Sequence, residues 1–154
     1  LVYFLDSSAL VKKYAAEAGS EWIESITAPE TDNAIAIAQI TVAEVVAALA
    51  SKYRGRAIST EEFEAAVEDM LRDAYENFTL VEIDQRVVKQ AVAVIRRRPL
   101  RGYDAVQLAC GQVLNKALIA SQESPIIFLS ADKRLLSAAQ AEGLQIEDPE
   151  THRL

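Results

Sequence analysis

The sequence predicts an α/β fold in which helices cover both faces of a central, mainly parallel sheet. The candidate strands are short and apolar, and a helical stretch separates each strand from the next. Such strands are typical of parallel sheets that are buried on both faces. The chain has 154 residues and contains no repeat, low-complexity tract or linker-like stretch, so we expect one domain over residues 1–154.

The first elements are a strand and two helices. Residues 2–5 (VYFL) are typical of a buried strand, and a helix over 8–17 begins near Ser7 or Ser8. Serine favours helix N-termini because its hydroxyl can accept a hydrogen bond from an unpaired backbone N–H group. The stretch GSEWIESI (19–26) predicts a second, short helix.

The middle of the chain predicts one strand and two longer helices. The apolar run AIAIAQI (34–40) is a strand, and the helix over 42–54 is closed by Gly55. A long amphipathic helix over 59–78 follows, with its apolar residues on one stripe. These residues are Phe63, Val67, Met70, Leu71 and Ala74.

The last part of the chain repeats the strand–helix alternation. A strand over 79–83 precedes a helix over 85–97, which must end by Pro99 because proline disfavours helical backbone in the residue before it. A helix over 102–118 follows and tolerates one internal glycine. The remaining elements are a strand over 125–130, a helix over 132–143 and a short strand over 144–148.

Charge and cysteine content restrict the classes of protein. The formal charge is −7, from 16 basic and 23 acidic side chains, which argues against a protein that coats nucleic acid through charge alone. Two basic stretches, KYRGR (52–56) and RRRPLRG (96–102), fit either a solvated helix C-terminus or a surface that faces a substrate. The single cysteine, Cys110, cannot form an internal disulfide. We therefore expect a cytoplasmic protein. No apolar run approaches the length of a membrane span, so we expect no membrane segment.

Histidine is almost absent from the sequence. The single histidine is His152, the third residue from the end of the sequence. A Ser-His-Asp triad or a histidine acid–base pair is therefore almost excluded. No Cys/His cluster could hold zinc, and no glycine-rich phosphate loop is present. Any chemistry therefore depends on carboxylates.

Four acidic residues lie at or near helix starts, where the topology can collect them. Asp6 follows the first strand directly, and Glu44 lies just inside the helix after the second strand. Asp104 lies at the start of a later helix, and Asp132 lies just beyond the fourth strand. Ligands of parallel sheets gather beyond the carboxyl ends of the strands. We therefore expect these four carboxylates to share one edge of the sheet.

Helix capping is an alternative explanation for each of the four. Thr41-x-x-Glu44 matches a capping box, in which the glutamate accepts a hydrogen bond from the backbone amide of the capping residue. Asp6 could cap the first helix, and Asp104 and Asp132 could favour the positive ends of their helices. For each residue taken singly, the sequence leaves both interpretations open.

A cluster of four carboxylates needs compensation for its charge. Two carboxylates about 5 Å apart repel by roughly 3 kcal/mol at an effective dielectric constant of about 20. Either some of the acids are protonated or a cation lies between them, and all-oxygen ligation suits Mg²⁺ or Mn²⁺. These ions also bind phosphates, which implies phosphoryl-transfer chemistry. The hydroxyls of Ser7, Ser8 and Ser130 are placed to support the acids.

The sequence resembles PIN-domain ribonucleases, and most closely the VapC-type toxins of type II toxin–antitoxin systems. The resemblance spans residues 2–147 and rests on four acidic motifs in order and at matching spacing: FLDSSALVKKY, TVAEVVAAL, GYDAVQLA and FLSADKRLLSAA. It implies a PIN-like three-layer α/β/α sandwich. It also implies endonucleolytic cleavage of RNA, by a pocket of four acids that holds one or two Mg²⁺ or Mn²⁺ ions.

The resemblance assigns a role to each acidic position. Asp6 and Asp104 would be primary metal ligands, and Glu44 would complete the pocket directly or through water. Asp132 would support a second metal or a bound water. The hydroxyls of the motifs would come from Ser7 or Ser8 and from Ser130. Basic residues near the rim are candidates for phosphate contacts or are simply solvated: Lys12, Lys13, Lys133 and Arg134.

The resemblance also implies partners, and the sequence leaves other functions open. The implied partners are an RNA substrate, a second copy in a homodimer, and a small antitoxin protein whose C-terminal segment covers the pocket. One alternative is a catalytically inert PIN-like scaffold that binds a protein. A phospho-acceptor domain or a dehalogenase-like phosphatase is a poor fit, since the first strand ends on a lone Asp6 followed by two serines rather than on an acidic pair or Asp-x-Asp.

Overall fold

A computed structural model describes residues 1–152 of the chain. Its strands are β1 (Val2–Leu5), β2 (Ala34–Ala38), β3 (Thr79–Val81), β4 (Ile126–Leu129) and β5 (Gln145–Glu147). They form one sheet in the order β3-β2-β1-β4-β5, and every neighbouring pair is parallel. The predicted α/β fold with a parallel sheet is confirmed. The predicted domain boundary at residue 154 lies outside the described residues.

All seven predicted helices are present. They are α1 (Ser7–Tyr14), α2 (Ser20–Thr27), α3 (Thr41–Arg54), α4 (Thr60–Arg72), α5 (Gln85–Arg97), α6 (Gly102–Ala120) and α7 (Lys133–Ala141). The long helix predicted over 59–78 is α-helical only to Arg72 and continues as a π-helical turn over Asp73–Asn77. Within residues 1–152, no helix is both long enough and apolar enough to cross a membrane.

The helices form two layers, one on each face of the sheet. Side chains of a strand alternate between its two faces, so Tyr3 and Leu5 pack with α1 to α4 while Phe4 packs with α5 to α7. The ring of Phe4 stacks on Phe128 of β4, with their centroids 5.5 Å apart. Both faces of β1 are buried, which is why its sequence is an uninterrupted apolar run.

Gly111 lets α6 approach the sheet closely. A Cβ atom on this residue would lie 3.0 Å from Cδ2 of Phe128, closer than side-chain atoms normally approach. The internal glycine that the sequence presented as merely tolerated is therefore needed for packing.

The order of the strands reverses at β1. Strands β2 and β3 lie on one side of β1, and β4 and β5 lie on its other side. In parallel sheets, such a reversal opens a crevice beyond the carboxyl ends of the strands, where ligands bind. Asp6 directly follows β1 and Ser130 directly follows β4, so both lie at this crevice.

Candidate active site

Asp6 both caps α1 and binds two serine hydroxyls. Its Oδ1 accepts hydrogen bonds from the backbone N–H of Ala9 (2.9 Å) and from the hydroxyl of Ser8 (2.7 Å). Its Oδ2 accepts one from the hydroxyl of Ser130 at 2.5 Å, across the crevice. A cap requires only one of these oxygens. The second oxygen is held by a residue 124 positions away in sequence, which the capping interpretation does not explain.

The environment of Asp6 disfavours its charged form. The residue is only 4% exposed. Burial raises the pKa of its carboxyl from 3.8 to about 6, although the bonds from Ser130, Ser8 and Ala9 oppose the increase, and the negative charge of Glu44 adds to it. A carboxylate here would be stabilised by a positive charge, and no side-chain ion pair within residues 1–152 supplies one.

Glu44 connects three helices instead of capping its own. Its Oε2 accepts a hydrogen bond from the hydroxyl of Ser7 in α1, and its Oε1 accepts one from Nε2 of Gln107 in α6, both at 2.7 Å. The capping residue of α3 is Ile40, which makes no side-chain cap bond. The capping-box interpretation of Thr41 and Glu44 is therefore wrong.

Gln107 is a site residue that the sequence analysis missed. It is 2% exposed, and its Nε2 donates to Glu44 and also to the hydroxyl oxygen of Thr41 at 2.8 Å. Its Oε1 is buried and has no donor among the described residues, an arrangement that costs about 1–3 kcal/mol. The signal was its position three residues after Asp104, on the same helix face. We infer that Gln107 positions the Glu44 carboxylate.

Asp104 and Asp132 line a separate hollow of about 390 Å³. Asp132 caps α7, since its Oδ1 accepts hydrogen bonds from the backbone N–H groups of Arg134 (2.9 Å) and Leu135 (3.3 Å). Asp104 makes no cap bond at the start of α6. The other residues that line the hollow are Pro99, Leu100, Arg101, Tyr103 and Arg134.

The four acids influence one another electrostatically. Burial raises the pKa of Asp104, and the charges of Asp132 and Glu44 raise it further, while two arginines at the hollow oppose the increase. Ser130 links the two sides of the crevice, since its hydroxyl donates to Asp6 and accepts from the backbone N–H of Asp132 at 3.0 Å. The structure thus brings Asp6 beside Glu44 and Asp104 beside Asp132, and Ser130 joins the two pairs.

The donor set suits a hard divalent cation. The site presents carboxylate, hydroxyl and amide oxygens, while Cys110 is buried in the core and the ring of His152 stacks on Trp22 at 3.9 Å. Within residues 1–152, no three Asp, Glu, His or Cys side chains already converge as a metal-binding group. The residue types fit Mg²⁺ or Mn²⁺. Asp6, Glu44 and Asp132 accept hydrogen bonds from neighbouring donors.

Comparison with known proteins identifies the family. Residues 3–141 match the family model described as the PIN domain. The chain belongs to the PIN-domain family. No curated protein matches the sequence.

Several solved structures, among them toxin–antitoxin proteins, share this fold. A toxin–antitoxin complex from Klebsiella pneumoniae has a TM-score of 0.60 at 20% identity, with 96% of this chain and 97% of that chain covered. A Pyrobaculum aerophilum protein, PAE2754, has a TM-score of 0.63 at 20% identity, covering 98% and 85%. VapC20 of Mycobacterium tuberculosis, described as a sarcin–ricin loop cleaving toxin, has a TM-score of 0.59 at 14% identity, covering 94% and 96%. At these identities the likeness concerns the fold.

The basic residues around this PIN-domain site differ in availability. Lys12 is 3% exposed, and its ammonium group pairs with Glu17 at 3.2 Å and Glu150 at 3.1 Å. These ion pairs make Lys12 a structural residue and argue against its predicted phosphate contact. Lys13 pairs with Asp73 at 3.5 Å. On the other side of the site, Lys133 is exposed and pairs with Asp148 at 3.2 Å, whereas Arg134 is exposed and makes no ion pair within residues 1–152.

Proposed function

We propose that this PIN domain is a Mg²⁺- or Mn²⁺-dependent endoribonuclease that acts as the toxin of a toxin–antitoxin pair. The observation that carries the proposal is the environment of Asp6 at the strand-order reversal. Its carboxyl is buried, its pKa is raised to about 6, and a second acid, Glu44, increases the electrostatic cost. A divalent cation would remove that cost, which a purely structural cap would not require.

In this proposal, each residue of the site would either hold a metal ion or orient one of the acids. Asp6 and Asp104 would hold the ion, Glu44 would complete its coordination directly or through water, and Asp132 would support a second ion or a water. A bound Mg²⁺ or Mn²⁺ supplies a Lewis acid and lowers the pKa of water, which suits hydrolysis of a phosphodiester. The remaining residues orient the acids: Ser8 and Ser130 hold Asp6, while Ser7 and Gln107 hold Glu44.

The partners belong to the same proposal. Several structural neighbours are toxin–antitoxin complexes, and one is described as cleaving the sarcin–ricin loop. We propose that this chain cleaves RNA, forms a homodimer and binds a small antitoxin. Exposed apolar side chains on α5 are candidates for a protein contact, since Val88, Val92 and Ile95 are between 41% and 52% exposed. The free thiol of Cys110 supports a cytoplasmic location.

A cleavage assay on a pool of cellular RNA tests the proposal. We expect the wild-type protein to cut RNA in Mg²⁺ or Mn²⁺, to stop in EDTA, and to resume when Mn²⁺ is added. The Asp6→Asn variant should be inactive. Asp84→Asn is the matched control because Asp84 also caps a helix, α5, through a hydrogen bond from Val87, and it should retain activity. Equal cleavage in EDTA would contradict the proposal.

One observation favours the alternative of an inert scaffold. Within the described residues, Asp6, Glu44 and Asp132 accept hydrogen bonds from hydroxyl, amide and backbone donors, and the four acids do not already form a metal-binding group. A scaffold would cut no RNA at any Mn²⁺ concentration, and its affinity for a partner protein would be the same in Asp6→Asn. The cleavage assay therefore separates the two functions.

A further inference from the structure

A basic groove adjoins the acidic hollow. It has a volume of about 550 Å³ and lies between the end of α5, the loop that follows it, and α7. It shares Pro99, Leu100 and Arg134 with the hollow that contains Asp104 and Asp132. We call it the basic groove and define it by Arg97, Arg98, Pro99, Leu100, Lys133 and Arg134.

The groove concentrates positive charge in an acidic chain. Glu142 pairs with both Arg97 (2.6 Å) and Arg98 (2.8 Å), so these two guanidinium groups share one carboxylate. At the junction with the acidic hollow, neither Arg101 nor Arg134 makes an ion pair within residues 1–152. One guanidinium nitrogen of Arg134 donates to the carbonyl oxygen of Pro99 at 3.2 Å, which holds this side chain across the groove.

The opposite side of the site offers no comparable charge. Lys12 and Lys13 are in ion pairs with acidic residues, and Lys52 pairs with Glu17 at 2.9 Å. A polyanion that approaches four carboxylates is repelled unless positive charge lies close by. Lys133 in the basic groove also pairs with an acid, Asp148, at 3.2 Å. On this side of the site the compensation therefore comes from Arg101 and Arg134, which line the acidic hollow and make no ion pair within residues 1–152.

An exposed aromatic side chain lies at the junction. Tyr103 lines the acidic hollow together with Arg101, and its side chain is 47% exposed. Proteins that bind single-stranded nucleic acid combine a positively charged groove with aromatic side chains on which bases stack. A base within a duplex is stacked on its neighbours and unavailable for such a contact.

We propose that a single-stranded segment of RNA runs from the acidic hollow into the basic groove, with phosphates on Arg101 and Arg134 and a base stacked on Tyr103. This inference rests on the proposed function and specifies the substrate and its path. It also gives the stretch RRRPLRG a role in substrate binding, which the sequence had left open between two interpretations.

Fluorescence anisotropy in EDTA measures this binding without cleavage. The probe is a labelled single-stranded RNA of about twelve nucleotides, titrated between 50 and 300 mM KCl. We expect Arg101→Gln/Arg134→Gln to bind roughly tenfold more weakly and to lower the slope of log K against log salt by about 1.4, or about 0.7 for each lost phosphate contact. The matched control is Arg54→Gln/Arg56→Gln, which removes the same charge from the other basic stretch and should change affinity less than about twofold.

The outcomes separate this inference from the proposed function. Normal cleavage by wild type, together with unchanged binding by Arg101→Gln/Arg134→Gln, would overturn the groove alone. Absent cleavage together with the expected binding loss would overturn the nuclease alone. Equal losses in both double variants would show that total charge, rather than the groove, controls binding. A duplex RNA of the same length that binds as tightly as the single strand would overturn the assignment to single strands.

Photo-cross-linking of the wild-type protein gives a test that needs no variant. RNA that contains 4-thiouridine should cross-link to peptides that cover residues 97–103 and 133–134. Cross-links confined to residues 52–56 would overturn the proposal, even if a variant failed to fold. Tyr103→Ala should bind the single strand at least roughly fivefold more weakly, whereas Tyr103→Phe should bind like wild type because it keeps the ring.

Discussion

Replacing Asp6 with asparagine is predicted to stabilise the metal-free protein at neutral pH. The pKa of this carboxyl rises from 3.8 to about 6, mainly because the group is buried. Since the folded protein holds the proton more tightly than the unfolded chain, the stabilisation due to the protonated group is complete below pH 4. It is lost as pH rises from about 4 to 6, so at pH 7.5 the ionised carboxylate destabilises the fold.

The size of the effect follows from the pKa and the hydrogen bonds. A change from 3.8 to about 6 corresponds to about 3 kcal/mol at about 1.4 kcal/mol per pKa unit. Asparagine removes the charge but retains only one acceptor oxygen, so the bond from Ser130 is weakened at a cost of about 1 kcal/mol. The net gain is about 1–2 kcal/mol, which corresponds to an increase in Tm of about 2–8 °C for a chain of this length.

Thermal melts followed by circular dichroism test this prediction. In EDTA at pH 7.5, Asp6→Asn should melt above wild type, and the difference should become small at pH 4. Added Mn²⁺ should raise the Tm of wild type and leave that of Asp6→Asn unchanged. Asp84→Asn, which alters the half-buried cap of α5, should not gain stability in EDTA. If Asp6→Asn instead melts below wild type in EDTA at pH 7.5, Asp6 is an ordinary structural cap and the reasoning fails.

Three further substitutions test the residues around the acids. Ser130→Ala removes a donor to Asp6 and an acceptor for the N–H of Asp132, and urea denaturation should show a loss of about 1–3 kcal/mol; an unchanged midpoint would contradict this. Gln107→Ala should abolish RNA cleavage by releasing Glu44, and unchanged kcat would refute its positioning role. Gly111→Ala should cost about 1–3 kcal/mol because the added Cβ meets Phe128, whereas Gly102→Ala, with open space around it, should melt like wild type.

The fold was predictable because local pattern and topology agree. Strands buried on both faces leave uninterrupted apolar runs, and parallel strands must be separated by helices, so β1 and β4 could be recognised from composition. Helix α4 begins with a capping box, and the structure contains both of its hydrogen bonds, between Ser59 and Glu62. The continuation of α4 as a π-helical turn left no comparable signal in the sequence, because the apolar stripe continues through it.

The placement of the candidate site residues at the sheet edge was predictable, but their contacts were not. Parallel topology places residues that follow strands at one edge, which was sufficient to select Asp6 and Asp132. Whether Glu44 faced its own helix terminus or the crevice depended on side-chain direction, and the same four-residue spacing is compatible with both. Gln107 contacts Glu44, and the buried Lys12 contacts Glu150. Both contacts join residues that are distant in sequence, and hydrophobic periodicity carries no information about such contacts.

The central claim is that four carboxylates from distant parts of the chain form one site for a divalent cation. Crystals grown with Mn²⁺ and measured at a wavelength where manganese scatters anomalously test it most directly. We predict an anomalous difference peak for a manganese ion that is coordinated by carboxylate oxygens of both Asp6 and Asp104. A map without a peak at this crevice, in which Asp6 still binds only Ser8, Ala9 and Ser130, would contradict the account.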